Sequence, residues 1–186
     1  MGKEGFKVKE TVVLVLRNAH TGKIDLVRDI GPNIVTNAGD RYYAQRGAAE
    51  TPTVTFNANG GGQMIVAASY NATAAKTRTF GNFKLATLSG AKTYNGRKTF
   101  DSGYPKTADT DSSNTGRTVD AVTYKVTYGT TVANTLIKAL GICRHSAATG
   151  IKATLLSYRT LTAAQQVNKT SSQTLTVYIN HLMNGV

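Results

Sequence analysis

Apolar residues along this chain recur mainly at alternate positions, in strand-sized segments. Val122, Tyr124, Val126 and Tyr128 alternate with Thr123, Lys125 and Thr127, which predicts a strand with one apolar and one wet face. Leu175, Val177 and Ile179 stand opposite Thr176, Tyr178 and Asn180 in the same way. Phe6 to Arg17 also reads as a strand, because the β-branched run Thr11-Val12-Val13 followed by Leu14-Val15-Leu16 suits a buried, pleated surface. Turn chemistry from Asn18 to Gly22 and a returning strand at Ile24 to Val27 complete a hairpin. Val54 to Phe56, Met64 to Ala67, Phe80 to Leu88, Leu136 to Cys143 and Ile151 to Tyr158 supply further strand candidates. Asn37, with Asp40 three positions later, predicts the cap of one short helix through Arg41 to Gln45, ended by Gly47. In that helix Tyr42 and Tyr43 read as packing residues, and Thr162 to Gln166 predicts a single helical turn.

Short strands separated by turn signals about every 8 to 12 residues point to an all-β, antiparallel β-sandwich, jelly-roll-like, with one short helix and long loops. A length of 186 residues suits a single domain over 1–186, and no internal repeat of fixed period is visible. The apolar runs, of which Val12 to Leu16 is typical, fall well short of the roughly 18 to 20 residues a membrane-spanning helix needs. Asn57 to Gly62 predicts a flexible surface loop. Ser89 to Gly116 is dominated by Ser, Thr, Asp, Asn, Gly and Lys, with Tyr94, Phe100 and Tyr104 as its large apolar groups. Segments 89–116 and 1–9 are therefore candidate contact arms, a disordered surface loop being the alternative for the former.

The chain carries 22 basic and 10 acidic residues, a net charge of +12. Asp and Glu are absent from Ala121 to Val186, where Lys125, Lys138, Arg144, Lys152, Arg159 and Lys169 all fall. Such a field attracts an acidic partner, whether nucleic acid, an anionic surface or an acidic protein lattice; a merely soluble basic surface is the alternative. The single cysteine, Cys143, rules out an intramolecular disulfide and fits a reducing cytosol. The opening Met-Gly-Lys-Glu-Gly-Phe-Lys lacks an export-signal pattern, so the product is expected to stay in the cell that makes it.

Candidate chemistry is sparse. His20 falls in a predicted turn, His145 in a loop and His181 after a strand, and none has zinc-ligand spacing to Cys, Asp or Glu. Cys143 beside Arg144 and His145 invites a nucleophile reading, but the triplet lacks an orienting group and a buried or interfacial thiol is favoured. Asp101, Asp109, Asp111 and Asn114 offer oxygen ligands without the spacing of a calcium loop. Gly60-Gly61-Gly62 lacks the Lys-Ser or Lys-Thr of a phosphate loop, and the Asn-x-Thr triplets at Asn71 and Asn168 have no export signal to support glycosylation. Tyr124-Lys125 and Tyr158-Arg159 suggest stacking plus charge, but strand neighbours point to opposite faces. The chain is thus read as non-enzymatic, with no catalytic residue, cofactor or metal site. Its candidate partner contacts are Lys3, Phe6, Lys7, Lys9, Tyr94, Arg97, Lys98, Phe100, Tyr104 and Lys106.

Several stretches resemble a group of virion structural proteins of tailed bacteriophages. They are Asn33-Ile34-Val35-Thr36-Asn37-Ala38-Gly39-Asp40 running into Tyr42-Tyr43-Ala44-Gln45, then Phe83 to Thr87, Asp101 to Thr107 and Asp120 to Tyr128. Leu155 to Tyr158, and Lys169-Thr170 leading to Leu175 to His181, complete the ordered series, while Thr51 to Thr79 has no counterpart. The resemblance implies a β-sandwich capsid decoration or cement protein, expected as a homotrimer, that binds the major capsid protein on the outer lattice of a virion assembled in the host cytoplasm. A tail, neck or head-fibre component is the alternative within that class. A basic nucleic-acid-binding protein is the alternative outside it, with no membrane partner expected in either case.

Overall fold

A computed structural model describes residues 9–56, 61–69, 73–79, 96–108, 121–144 and 154–182. The chain begins with the expected hairpin. Strands β1 (Lys9–Asn18) and β2 (Ile24–Gly31) pair antiparallel, and the Asn18 side chain accepts from the backbone N–H groups of His20 and Thr21 to tighten the turn. Gly22 closes that turn at φ +71°, a left-handed conformation that costs glycine little. β1 also pairs with β12 (Gln173–Leu182), which pairs with β7 (Ala121–Tyr128), which pairs with the short β6 (Lys106–Ala108). The first sheet is therefore β2-β1-β12-β7-β6.

The second sheet runs β3 (Ile34–Val35), β10 (Thr154–Thr160), β9 (Ala139–Arg144), β4 (Gly62–Ala67) and β5 (Arg97–Thr99). A two-stranded ribbon of β8 (Leu136–Ile137) and β11 (Val167–Asn168) stands beside it. Alternation puts Val12, Leu14, Leu16, Tyr124, Val126, Tyr128, Leu175, Val177 and Ile179 on the inner face of the first sheet. There they share one core with Met64, Val66, Leu140, Ile142 and Leu156 of the second. The fold is thus the all-β antiparallel sandwich that the sequence pattern predicts. The second sheet is buried on its other face too, where Ile65, Cys143, Leu155 and Tyr158 form a smaller cluster. Tyr158 Oη bonds both backbone groups of Ala75 and so holds the 73–79 segment against that sheet.

One helix, α1 (Asn37–Gly47), joins the two layers. Its cap is Thr36 and not Asn37: Thr36 Oγ1 accepts from Gly39 N at 3.2 Å and also donates to the Leu155 carbonyl. Thr36 wins because its own N–H donates to the Leu156 carbonyl at 3.0 Å, fixing the chain one residue before the helix. A register shift in the β9–β10 pair lets Leu156 and Ser157 both face Ile142, and this bulge brings the Leu156 carbonyl to the helix start. Gly39 sits so close that an added Cβ would lie 2.3 Å from the Leu156 oxygen.

Several other elements depart from the sequence reading. Val54 to Phe56 forms no strand, although Phe56 is buried in the core as an anchor for its loop. Leu136 to Cys143 is interrupted at Lys138, whose N–H bonds Ala67 while its carbonyl accepts from Leu161, so the chain changes partners there. His181 lies inside β12 and not after it. Lys9, assigned to an N-terminal arm, pairs with Leu182 in β1. The described part of the 89–116 loop, 96–108, is a strap from one sheet to the other: β5 belongs to the second sheet, β6 to the first, and Phe100 between them is in the core. Polar composition concealed this, because Lys98, Asp101 and Tyr128 attach the strap by hydrogen bonds. The Lys98 ammonium donates to the Thr127 carbonyl, Asp101 accepts from Thr127, and Tyr128 Oη donates to the Met64 and Gly96 carbonyls. The expected strand at Phe80 to Leu88, and segments 1–8, 89–95 and 109–116, lie outside the described residues.

Gly39→Ala is expected to lower unfolding free energy by about 2 to 4 kcal/mol, the cost of overpacking against a fixed backbone oxygen. Gly47→Ala, with nothing within 4 Å of an added Cβ, should change stability by less than about 0.5 kcal/mol. Urea unfolding of both variants checks the pair; equal midpoints would refute the tight junction.

Candidate binding surface and the buried polar groups

His181, Ser157, Cys143 and Lys169 turn inward, whereas His20 stays exposed in the β1–β2 turn. His181 is fully buried, and its two ring nitrogens bond Tyr43 Oη and Ser157 Oγ, the latter at 3.3 Å. Tyr43 Oη also meets Tyr124 Oη at 3.1 Å. The network ties α1, β7, β10 and β12 together, and Tyr43 is amphipathic enough to pack its ring while its hydroxyl reaches the polar pair. The β10 bulge makes this possible by turning Ser157 to the core side, opposite Ile142. Nothing in the sequence pairs Ser157 with His181; the link depends on a bulge and on cross-sheet packing.

Cys143 is fully buried in the outer cluster of the second sheet. Burial pushes its thiol up to about 12, against a smaller opposing pull from the Arg97 guanidinium. The thiolate required of a nucleophile is therefore suppressed in the folded chain. Tyr128 is raised well above its ordinary value, chiefly by burial. Lys169 is almost wholly buried; burial lowers its pKa, and its ammonium bonds Asn134 Oδ1 at 2.6 Å and the Thr170 carbonyl.

Asp101, the described member of the proposed calcium ligands, is committed to β7. Its carboxylate accepts from Thr127 N at 3.0 Å and from Thr127 Oγ1 at 2.7 Å. Among the described residues no cluster of three His, Cys, Asp or Glu side chains is positioned to hold a metal ion. Asp109, Asp111, Asn114 and His145 lie outside the described residues. A cavity of about 360 Å³ lies against α1, lined by Asn37, Ala38, Arg41, Tyr42, Gln45, Thr53 and Val54, with Arg46 stacked over Tyr42.

The outer face of the first sheet gathers partly exposed side chains of matching character. Across β7 and β12, Lys125 stands opposite Tyr178 and Thr127 opposite Thr176; across β6 and β7, Lys106 stands opposite Thr123. The Lys125 ammonium lies 5.5 Å from the centre of the Tyr104 ring and 5.7 Å from that of Tyr178, and Lys106 lies 5.1 Å over Tyr104. These are cation–π distances. Asp101 forms a long ion pair with the Lys125 ammonium at 3.8 Å while its oxygens accept hydrogen bonds from Thr127.

Of the candidate contacts, this face brings together Tyr104 and Lys106. Arg97 and Lys98 belong to β5 in the other sheet, Phe100 faces the core, Lys9 is in β1, and Lys3, Phe6, Lys7 and Tyr94 lie outside the described residues. Tyr124 and Lys125 do point to opposite faces, Tyr124 being buried and Lys125 half-exposed. Sequence reasoning missed Tyr178 and Lys125 as a pair because only the β7–β12 register makes them neighbours. No helix among the described residues is long and apolar enough to cross a membrane. No protein-family model, curated protein or solved structure matches this chain.

Three outcomes are expected. Cys143 should resist a thiol reagent in the folded chain and react only on unfolding, as followed by dye release with and without denaturant; rapid labelling of folded protein would contradict its burial. Between about pH 8.5 and about 12 the unfolded thiol ionises while the folded one stays protonated. The folded chain then holds more protons at Cys143, so stability falls as pH rises through that window, and Cys143→Val should flatten the fall seen in thermal melts. Tyr43→Phe and Ser157→Ala should each cost about 1 to 3 kcal/mol and combine non-additively through His181 in a double-mutant cycle.

Proposed function

We propose that this chain is a non-enzymatic structural subunit that acts by binding other proteins in a larger assembly, specifically a virion protein of the capsid decoration or cement type. The observation that carries the reading is the division of side chains in the sandwich. His181, Ser157, Tyr43 and Cys143 are consumed by internal packing, whereas the outer face of the first sheet offers tyrosines, threonines and ammonium groups. Exposed Ile24 and Val27 on the edge strand β2, at 52% and 57%, add apolar area of the kind that subunit contacts cover. The ordered resemblance to tailed-phage virion proteins supports the narrower reading. Its motif around Thr36-Asn37-Ala38-Gly39 coincides with the helix-to-bulge junction, a place where residue identity is set by geometry.

In this reading the partners are the major capsid protein and further copies of the chain, in a trimer on the outer capsid surface. Apolar burial over the contacts supplies the energy, and the +12 charge steers the chain toward an acidic lattice.

The test is to purify particles of the phage that encodes the chain and weigh their composition by mass spectrometry, followed by cryo-electron microscopy. Many copies at icosahedral positions on the outside of the capsid are expected. Absence of the chain from particles would overturn the assembly reading, and density confined to the tail axis would overturn the decoration role.

A further inference from the structure

We infer that the outer face formed by Tyr104, Lys106, Thr123, Lys125, Thr127 and Tyr178 is the docking surface for a carboxylate-bearing protein segment, an inference that rests on the assembly reading above. The argument begins with what each group has left to offer. Lys125 is held between two tyrosine rings, 5.5 Å from one and 5.7 Å from the other, so its aliphatic stem is ordered before any partner arrives. Among the described residues its ion-pair partner is Asp101, at 3.8 Å, a carboxylate that takes its hydrogen bonds from Thr127 and none from Lys125. The ammonium is therefore fixed in place with donor capacity for another anion. Lys106, exposed and 5.1 Å over Tyr104, places a second cation on the same ring. Thr123 and Thr127 lie beside these lysines on the outer face of β7, and the Thr123 hydroxyl is a potential further donor.

Two classes of anion suit a tyrosine-lysine surface, and the geometry separates them. Single-stranded nucleic acid is held by bases stacked on open aromatic faces. Here the rings are already engaged by ammonium groups, two over Tyr104 and one over Tyr178, so the rings orient cations instead of offering platforms. Carboxylates need no platform; they need ammonium and hydroxyl donors at close spacing, which β6 and β7 provide. The surface also spans β6, β7 and β12, elements welded to the core, so little ordering entropy opposes docking.

The test uses the full chain, a short glutamate oligomer and an oligothymidylate of equal charge, each titrated at low salt and followed by amide shifts in two-dimensional NMR. The glutamate oligomer should shift Lys106, Thr123, Lys125 and Tyr178 together. Lys106→Glu and Lys125→Met should each weaken it about tenfold, while Arg46→Glu, the same charge change as Lys106→Glu but on α1, should stay within about twofold. The unperturbed spectrum of each variant reports its fold, and Lys125→Met preserves the packed stem. Equal loss in Arg46→Glu would reduce the site to diffuse charge and overturn the proposal. Tighter oligothymidylate binding at the same residues would overturn it in favour of a nucleic-acid face. Neither result bears on whether the chain is found in particles, and absence from particles would leave glutamate binding intact, so failure of each reading is distinguishable.

Discussion

The sandwich and its helix are joined at one carbonyl, that of Leu156. It accepts from Thr36 N, lies 3.2 Å from Thr36 Oγ1, and stands where a side chain on Gly39 would have to go. Because a bulge in β10 presents that oxygen, the same irregularity sets where α1 begins and turns Ser157 toward His181. Remove the bulge and strict alternation would send Ser157 to the other side of the sheet, taking its hydroxyl away from His181 Nε2. The position of Tyr43, and through it the closure of the core between the sheets, follows from this junction.

A core that carries this much polarity has to satisfy it internally. Tyr128 reaches from the first sheet to carbonyls of the second, Lys98 crosses in the opposite direction to Thr127, and Lys169 is buried on amide and carbonyl oxygens. Each unpaired group would cost on the order of 1 to 3 kcal/mol, so these cross-links specify how the sheets are positioned more than they add to net stability. They also explain why a chain so basic can fold as a sandwich. Among the described residues, Lys98 and Lys169 set their charge against neutral oxygens, while Lys76 and Lys125 meet carboxylates nearer the surface.

How much of this was legible depends on whether the cause was local. Strands β7 and β12 could be read from alternation, β1 from its β-branched apolar run, and β2 from the turn chemistry before it. The helix was visible, but its start was displaced by one residue, because Thr36 and Asn37 are both competent caps and only the Leu156 carbonyl decides between them. The strap 96–108 was hidden by its polar composition; its burial rests on Phe100 and on hydrogen bonds to a strand two dozen residues away. Tyr104, Lys125 and Tyr178 were each visible as residues but not as a site, because the register of β7 against β12 has no local signature. The described residues show the sheet packing that alternation implies, and they place Tyr104 and Lys106 of the expected arm on the outer face of the first sheet.

The irregular pairing of β1 with β2 bears on what the open edge of the first sheet can accept. Register shifts between Val12 and Val13 and between Leu16 and Arg17 bracket the regular part of that ladder, and Asp25, Arg28 and Asp29 lie along the outer strand. A strand kinked at both ends and studded with charge is a poor template for the endless edge-to-edge stacking that leads to fibrils. Growth by adding strands at this edge is thereby discouraged, even though Ile24 and Val27 leave apolar surface exposed along it.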